Sequence, residues 1–220
     1  MKEILEDLQR KIDDKKTRNA LRTKDVRRLA SDAYKTLRQN NHEAILDVCE
    51  KLLDYNTWEH KLIAFDWAYR ERKKYTSQTF DRFEQWLKMY VHDWWDCDDF
   101  CTHALGILIH DFPALLPRIK MWVNHEEFAV RRAAAVVLIP SIRRQSCPKE
   151  YPFEIANALF NDDHYLVVKG YGWLLKVFAE YEEELVIEYL RKHVKTMPRL
   201  AFRYALEKVD ETKRKELMAL

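Results

Sequence analysis

Three glycines and six prolines in 220 residues leave this chain little material for tight turns. Strand-based folds need Gly, Pro, Asn and Asp at each reversal, and no alternating Val/Ile/Thr-rich run bounded by such residues is present. Apolar residues recur at helical spacing instead. Leu5, Leu8 and Ile12 form one stripe, Val26, Leu29, Ala30, Ala33, Tyr34 and Leu37 the next, and Ile45, Val48, Leu52 and Leu53 a third. The pattern breaks near residues 17–24, 39–42, 54–57, 74–78, 91–95, 110–113, 123–127, 145–152, 160–164, 180–182 and 194–198. These breaks predict an all-α chain of about a dozen helices joined by short loops.

A row of short helices can be a bundle or a stacked array, and internal repetition separates the two. The segments WEHKLIAFDWAYRE, WDCDDFCTHALGIL, AVRRAAAVVLIPS, LVVKGYGWLLKVF and FRYALEKV begin at Trp58, Trp95, Ala129, Leu166 and Phe202, 37, 34, 37 and 36 residues apart. Each opens on an apolar residue, passes a polar or small position three or four residues on, and returns to apolar ones. That is the period of a two-helix repeat of the HEAT type, in which neighbours bury each other's apolar faces and the second helices line a concave surface. No linker-like composition interrupts the series, so a single HEAT-like domain spanning residues 1–220 is expected. Stacked in register, Lys61, Asp98 or Asp99, Arg132 and Lys169 fall in one row: three cations around a carboxylate. Such a groove suits a polyanion on which positive charge develops during reaction.

Composition narrows the function further. No apolar run approaches the roughly 18 residues of a membrane span, and the charged start MKEILEDLQRKIDDKKTR lacks the apolar centre of a signal peptide, so a cytoplasmic protein is expected. Cys49, Cys97, Cys101 and Cys147 are too few and too scattered for a disulfide framework. The net charge of +2 and pI of about 8.2 leave a nucleic-acid surface to charge segregation. Arg10, Lys11, Lys15, Lys16, Arg18, Arg22, Lys24, Arg27 and Arg28 crowd the first thirty residues, a run that solvated helix faces also produce. Neither a Gly-x-Ser-x-Gly elbow nor a glycine-rich phosphate loop occurs. Cys97, Cys101 and His103 suggest a metal site, but His103 falls off the cysteines' helix face and no second Cys/His pair follows at zinc spacing. No metal or other cofactor is expected.

The densest chemistry lies in VHDWWDCDDFCTHALG, Val91 to Gly106, with two adjacent tryptophans among four aspartates. Asp96 reads as a helix cap, with Asp98 and Asp99 in the first turn; caps and dipole contacts alone account for such carboxylates. Carboxylates beside indoles also suit a cationic transition state, because the charge and the electron-rich ring faces both favour a positive centre.

WWDCDD (Trp94 to Asp99), VRRAAAVV (Val130 to Val137), VVKGYGWLLK (Val167 to Lys176) and MPRLAFRYALEK (Met197 to Lys208) together resemble the ordered landmarks of the AlkD-type DNA alkylation repair family. The resemblance implies HEAT-like helical repeats that excise N3- and N7-alkylated purines from double-stranded DNA without full extrusion of the base. Carried over by position, it implies Asp99 as the catalytic carboxylate, Trp95 and Trp173 as the lesion-side indoles and Arg132 as a backbone contact; the stacked register adds Lys169 and Lys61 to the expected DNA-binding set. Ala129 stands where the family often carries a tryptophan, and Asp98 adds a second carboxylate before Asp99. A monomer acting on alkylated duplex DNA is expected. The alternatives are a non-catalytic DNA-binding member of the fold and a protein-scaffolding repeat, which an apolar groove would favour.

Overall fold

The computed structural model describes residues 2–18 and 21–220. Every regular element among them is helical, as the scarcity of turn residues requires. The chain divides into two compact units, Met1–Gln78 and Thr79–Leu220.

The first unit contains α1 (Lys2–Thr17), α2 (Thr23–Leu37), α3 (His42–Leu53) and α4 (Trp58–Arg70). Val26, Ala30 and Leu37 of α2 are buried with Ile45, Val48, Leu52 and Leu53 of α3, so the apolar stripes read from the sequence are the core faces. The buried Trp67 of α4 donates its indole N–H to the Ala30 carbonyl at 2.8 Å, fixing α4 against α2. Glu71, almost fully buried after α4, accepts from the Tyr34 hydroxyl and from Lys74 and pairs with His42, which satisfies a charge that burial would otherwise penalise.

The second unit contains α5 (Thr79–Tyr90), α6 (Trp94–Thr102), α7 (Ala104–Asp111), α8 (Leu116–Ile119), α9 (Phe128–Val136), α10 (Ile139–Arg143), α11 (Tyr151–Ala158), α12 (Tyr165–Ala179), α13 (Glu183–His193), α14 (Arg199–Ala205) and α15 (Glu211–Ala219). Within it α6 packs on α9, α9 on α12 and α12 on α14, while α7 packs on α10, and α10, α11 and α13 pack on α12. One row of helices therefore begins at Trp94, Phe128, Tyr165 and Arg199, the stacked order of a HEAT-like helical solenoid. Its members start within three residues of the segments picked out by internal repetition. The row is tightly packed because its contact residues are small: Ala129, Ala133 and Ala134 on α9 and Gly170 and Gly172 on α12 are all buried.

Among the described residues no single helix is long and apolar enough to cross a membrane.

Candidate active site

The start of α6 is held by a reciprocal cap. Asp93, in extended conformation, accepts from the Trp94 amide at 2.7 Å, and Asp96 returns the favour by accepting from the Asp93 amide at 2.9 Å and the His92 amide at 3.1 Å. Asp93 is thus the N-cap residue and the buried Asp96 its third-position partner, where the sequence suggested Asp96 as the cap itself. With the helix start fixed and Cys97, Phe100 and Cys101 in the core, Trp94 and Asp98 project together on one flank, one turn apart.

That flank opens on a cavity of about 530 Å³ lined by Trp94, Asp98, Arg132, Leu166, Lys169 and Trp173, with Tyr165, Lys176 and Tyr204 completing the wall. Trp94 and Tyr165, about half exposed, stand at its rim. The Asp98 carboxylate is held from behind by Arg132: Nε donates to Oδ1 and Nη2 to Oδ2, both at 2.9 Å. The third guanidinium nitrogen, Nη1, donates to the Leu166 carbonyl. Space for this guanidinium exists because residue 170 is glycine; a Cβ there would lie 3.1 Å from Arg132 Cγ and 3.2 Å from Nη1. Burial raises the Asp98 carboxyl above the ordinary 3.8, against the opposing hydrogen bond and charge of Arg132. Burial opposes the charge on Arg132, but the hydrogen bond and charge of Asp98, with Cys97 and Cys101, together raise it, and the bidentate geometry makes the pair ionic and fixed.

A bidentate guanidinium uses one lone pair on each carboxylate oxygen and leaves the others available. Asp98 can therefore still accept from a water or stabilise a cation. On the cavity's other side, Lys169 Nζ lies 5.3 Å from the Tyr165 ring centre and 6.0 Å from that of Tyr204. These cation–ring contacts set the Lys169 side chain on the cavity wall, where it suits a phosphate contact. Lys176 is tied to Glu207.

The structure distributes the sequence-derived site residues unevenly. Trp173 and Lys169 line the cavity; Asp99 and Trp95 do not. The Asp99 carboxylate lies 3.7 Å from His103 Nδ1, and Trp95 is half-buried one position round the helix from the rim residue Trp94. Arg132, expected on the DNA backbone, is 5% exposed and spends its donors on Asp98 and Leu166. Lys61 belongs to the first unit and is buried in α4, so it presents no open cation for a phosphate. Cys97 and Cys101 face each other in the core with sulfurs 4.0 Å apart, and burial holds the Cys101 thiol well above its usual range. Sequence reasoning missed Trp94, Tyr165 and Tyr204. The WW and DD doublets place two Trp–Asp pairs at the same four-residue spacing, and Arg132 is the signal that distinguishes them, since it meets Asp98.

An all-α stack of helical repeats with an aromatic cavity around an arginine-held carboxylate defines the class. A profile described as "DNA alkylation repair enzyme" matches residues 2–209, nearly the whole sequence and both units, and the chain belongs to that family. Among solved structures, it is similar to a "predicted DNA alkylation repair enzyme from Enterococcus faecalis", with a TM-score of 0.77 at 14% identity over 87% of this chain and 88% of that one. No curated protein sequence matches.

Proposed function

We propose that the chain is a DNA glycosylase that hydrolyses the N-glycosidic bond of cationic N3- or N7-alkylated purines in double-stranded DNA, with Asp98 as the catalytic carboxylate. The observation that carries this reading is the placement of Asp98 in a cavity walled by Trp94, Trp173, Tyr165 and Tyr204. An alkylated purine already bears a positive charge, so its departure needs no acid. The sugar left behind resembles an oxocarbenium ion. A fixed carboxylate stabilises that ion and orients the attacking water, more strongly in a partly enclosed site than in bulk solvent. Indole and phenol faces add about 0.5–2 kcal/mol per cation contact. Arg132 acts through Asp98 as a positioning residue, and Lys169 is the cation available to a flanking phosphate.

Incubation with duplex DNA methylated at N7-guanine and N3-adenine tests the proposal. Free methylpurine is expected from the wild-type protein and is expected to fall sharply with Asp98→Asn. Tight duplex binding without any base release would identify a non-catalytic DNA-binding member of the fold instead.

A further inference from the structure

The cavity lies in the second unit, yet the first carries a basic surface that the reaction does not use. On α2, Lys24, Arg27, Arg28, Ser31 and Lys35 follow at i, i+3, i+4, i+7 and i+11, and Arg38, which caps the helix in helical conformation, continues the series at i+14. These spacings place all six on one face. Val26, Ala30 and Leu37 occupy the opposite face and are buried, so the cations are directed outward, and Lys24, Arg27, Arg28, Lys35 and Arg38 are all exposed. Asp32 is the acid at the edge of this stripe, touching Lys35 at 2.7 Å and Arg28 at 4.0 Å. The neighbouring α1 behaves differently: its Arg10 and Lys11 are paired with Asp7, Lys15 with Asp25 and Lys16 with Glu59. Among the described residues no such partner stands by Lys24 or Arg38.

We infer that this face of α2 is a second DNA-binding surface that engages the phosphate backbone of undamaged duplex, independently of sequence. The inference rests on the proposed reading of the protein as acting on DNA. From Lys24 to Lys35 the stripe runs about 16 Å at 1.5 Å per residue, a length over which a duplex presents about ten phosphates on its two strands. Long, exposed, outward-directed cations match such a polyanion, and with no aromatic or amide side chain among the six, the face holds charge without base-reading groups. Its role is to hold the protein on DNA; turnover of a bound lesion belongs to Asp98.

The full-length triple variant Lys24→Gln, Arg28→Gln, Arg38→Gln tests this, with Lys192→Gln, Lys195→Gln, Lys215→Gln in the second unit as a control of equal charge loss. Affinity for an undamaged duplex is read against salt concentration. For the α2 variant the slope of log K against log salt should flatten by about two to three units, near 0.9 per lost phosphate contact, with the control closer to wild type. Single-turnover excision at saturating protein should be unchanged. An unaltered slope, or equal flattening in the control, overturns the inference. So does a loss confined to single-stranded RNA or to phosphatidylserine-containing vesicles with duplex binding intact. If no base is released by any protein but the slope still flattens selectively, the glycosylase reading fails while the surface stands.

Discussion

Arg132 holds both carboxylate oxygens of Asp98 through two parallel hydrogen bonds of 2.9 Å, and in doing so aims the free side of that carboxylate into the aromatic cavity. Asp98→Asn removes the charge but keeps the shape, and should lower the rate of methylpurine release on the order of 10²–10³-fold, as loss of one electrostatic stabiliser does elsewhere. Duplex affinity should hold or rise, since a negative charge leaves the DNA side. Asp99→Asn should cost far less in rate. Single-turnover assays of the two variants side by side decide which aspartate acts.

The pH dependence carries a definite sign. Burial raises the Asp98 carboxyl above 3.8 while the Arg132 hydrogen bond and charge oppose it. Catalysis needs the carboxylate, so the single-turnover rate should fall as pH drops through a limb above 3.8. Arg132→Gln removes both lowering influences, and its limb should move to still higher pH; a limb that stays put in this variant would separate Asp98 from the rate. Stability follows the opposite sense. A carboxyl raised in the folded state contributes most below its unfolded value, and that contribution fades as pH rises through the folded one. Denaturant unfolding of wild type and Asp98→Asn across the same range measures it.

The two glycines of α12 should respond differently to alanine. At Gly170 the new Cβ meets only the Arg132 side chain, at 3.1–3.2 Å, so the fold can adjust by moving the guanidinium. Stability should change by less than about 1 kcal/mol, because better helix propensity offsets part of the crowding, while excision falls by up to about a hundredfold as Asp98 is displaced. At Gly172 the Cβ meets the Ala201 backbone at 3.0–3.1 Å and Tyr204 Cβ at 2.9 Å. Here α14 itself must shift, and a loss of about 1–3 kcal/mol is expected. Thermal unfolding together with single-turnover rates distinguishes the cases.

The helical architecture was legible because its cause is local. Val26, Ala30 and Leu37, or Ile45, Val48 and Leu52, announce buried faces through spacing alone, and the repeat starts at Trp95, Ala129 and Leu166 fall one residue inside helices that begin at Trp94, Phe128 and Tyr165. The site was legible only in part, because its cause is not local. Trp94 with Asp98 and Trp95 with Asp99 are the same pattern displaced by one residue, and which pair faces the cavity depends on Arg132 lying 34 positions away. Arg132 likewise looks like a surface cation until Gly170 is seen to make room for it. Tyr165 lies just outside VVKGYGWLLK, and Tyr204 sits inside MPRLAFRYALEK with no role marked there; they reach the cavity because α12 packs on α9 and α14 on α12.

Substrate range provides the most demanding test of the proposed chemistry. The cavity has one principal carboxylate, bound to Arg132 and required as an anion, and its cation Lys169 lies over the rings of Tyr165 and Tyr204. Protonating a neutral leaving base calls for an acid whose pKa lies near the working pH, and a carboxylate required as an anion does not supply that proton. Release should therefore be confined to bases that already carry a positive charge. On matched duplexes, N7-methylguanine and N3-methyladenine should be freed, whereas uracil, hypoxanthine and 1,N6-ethenoadenine should remain within about tenfold of their spontaneous rates, an increment worth 1.36 kcal/mol in the barrier. Efficient release of uracil or hypoxanthine would mean that a proton donor operates in the site, and the carboxylate-only mechanism built on Asp98 would have to be abandoned.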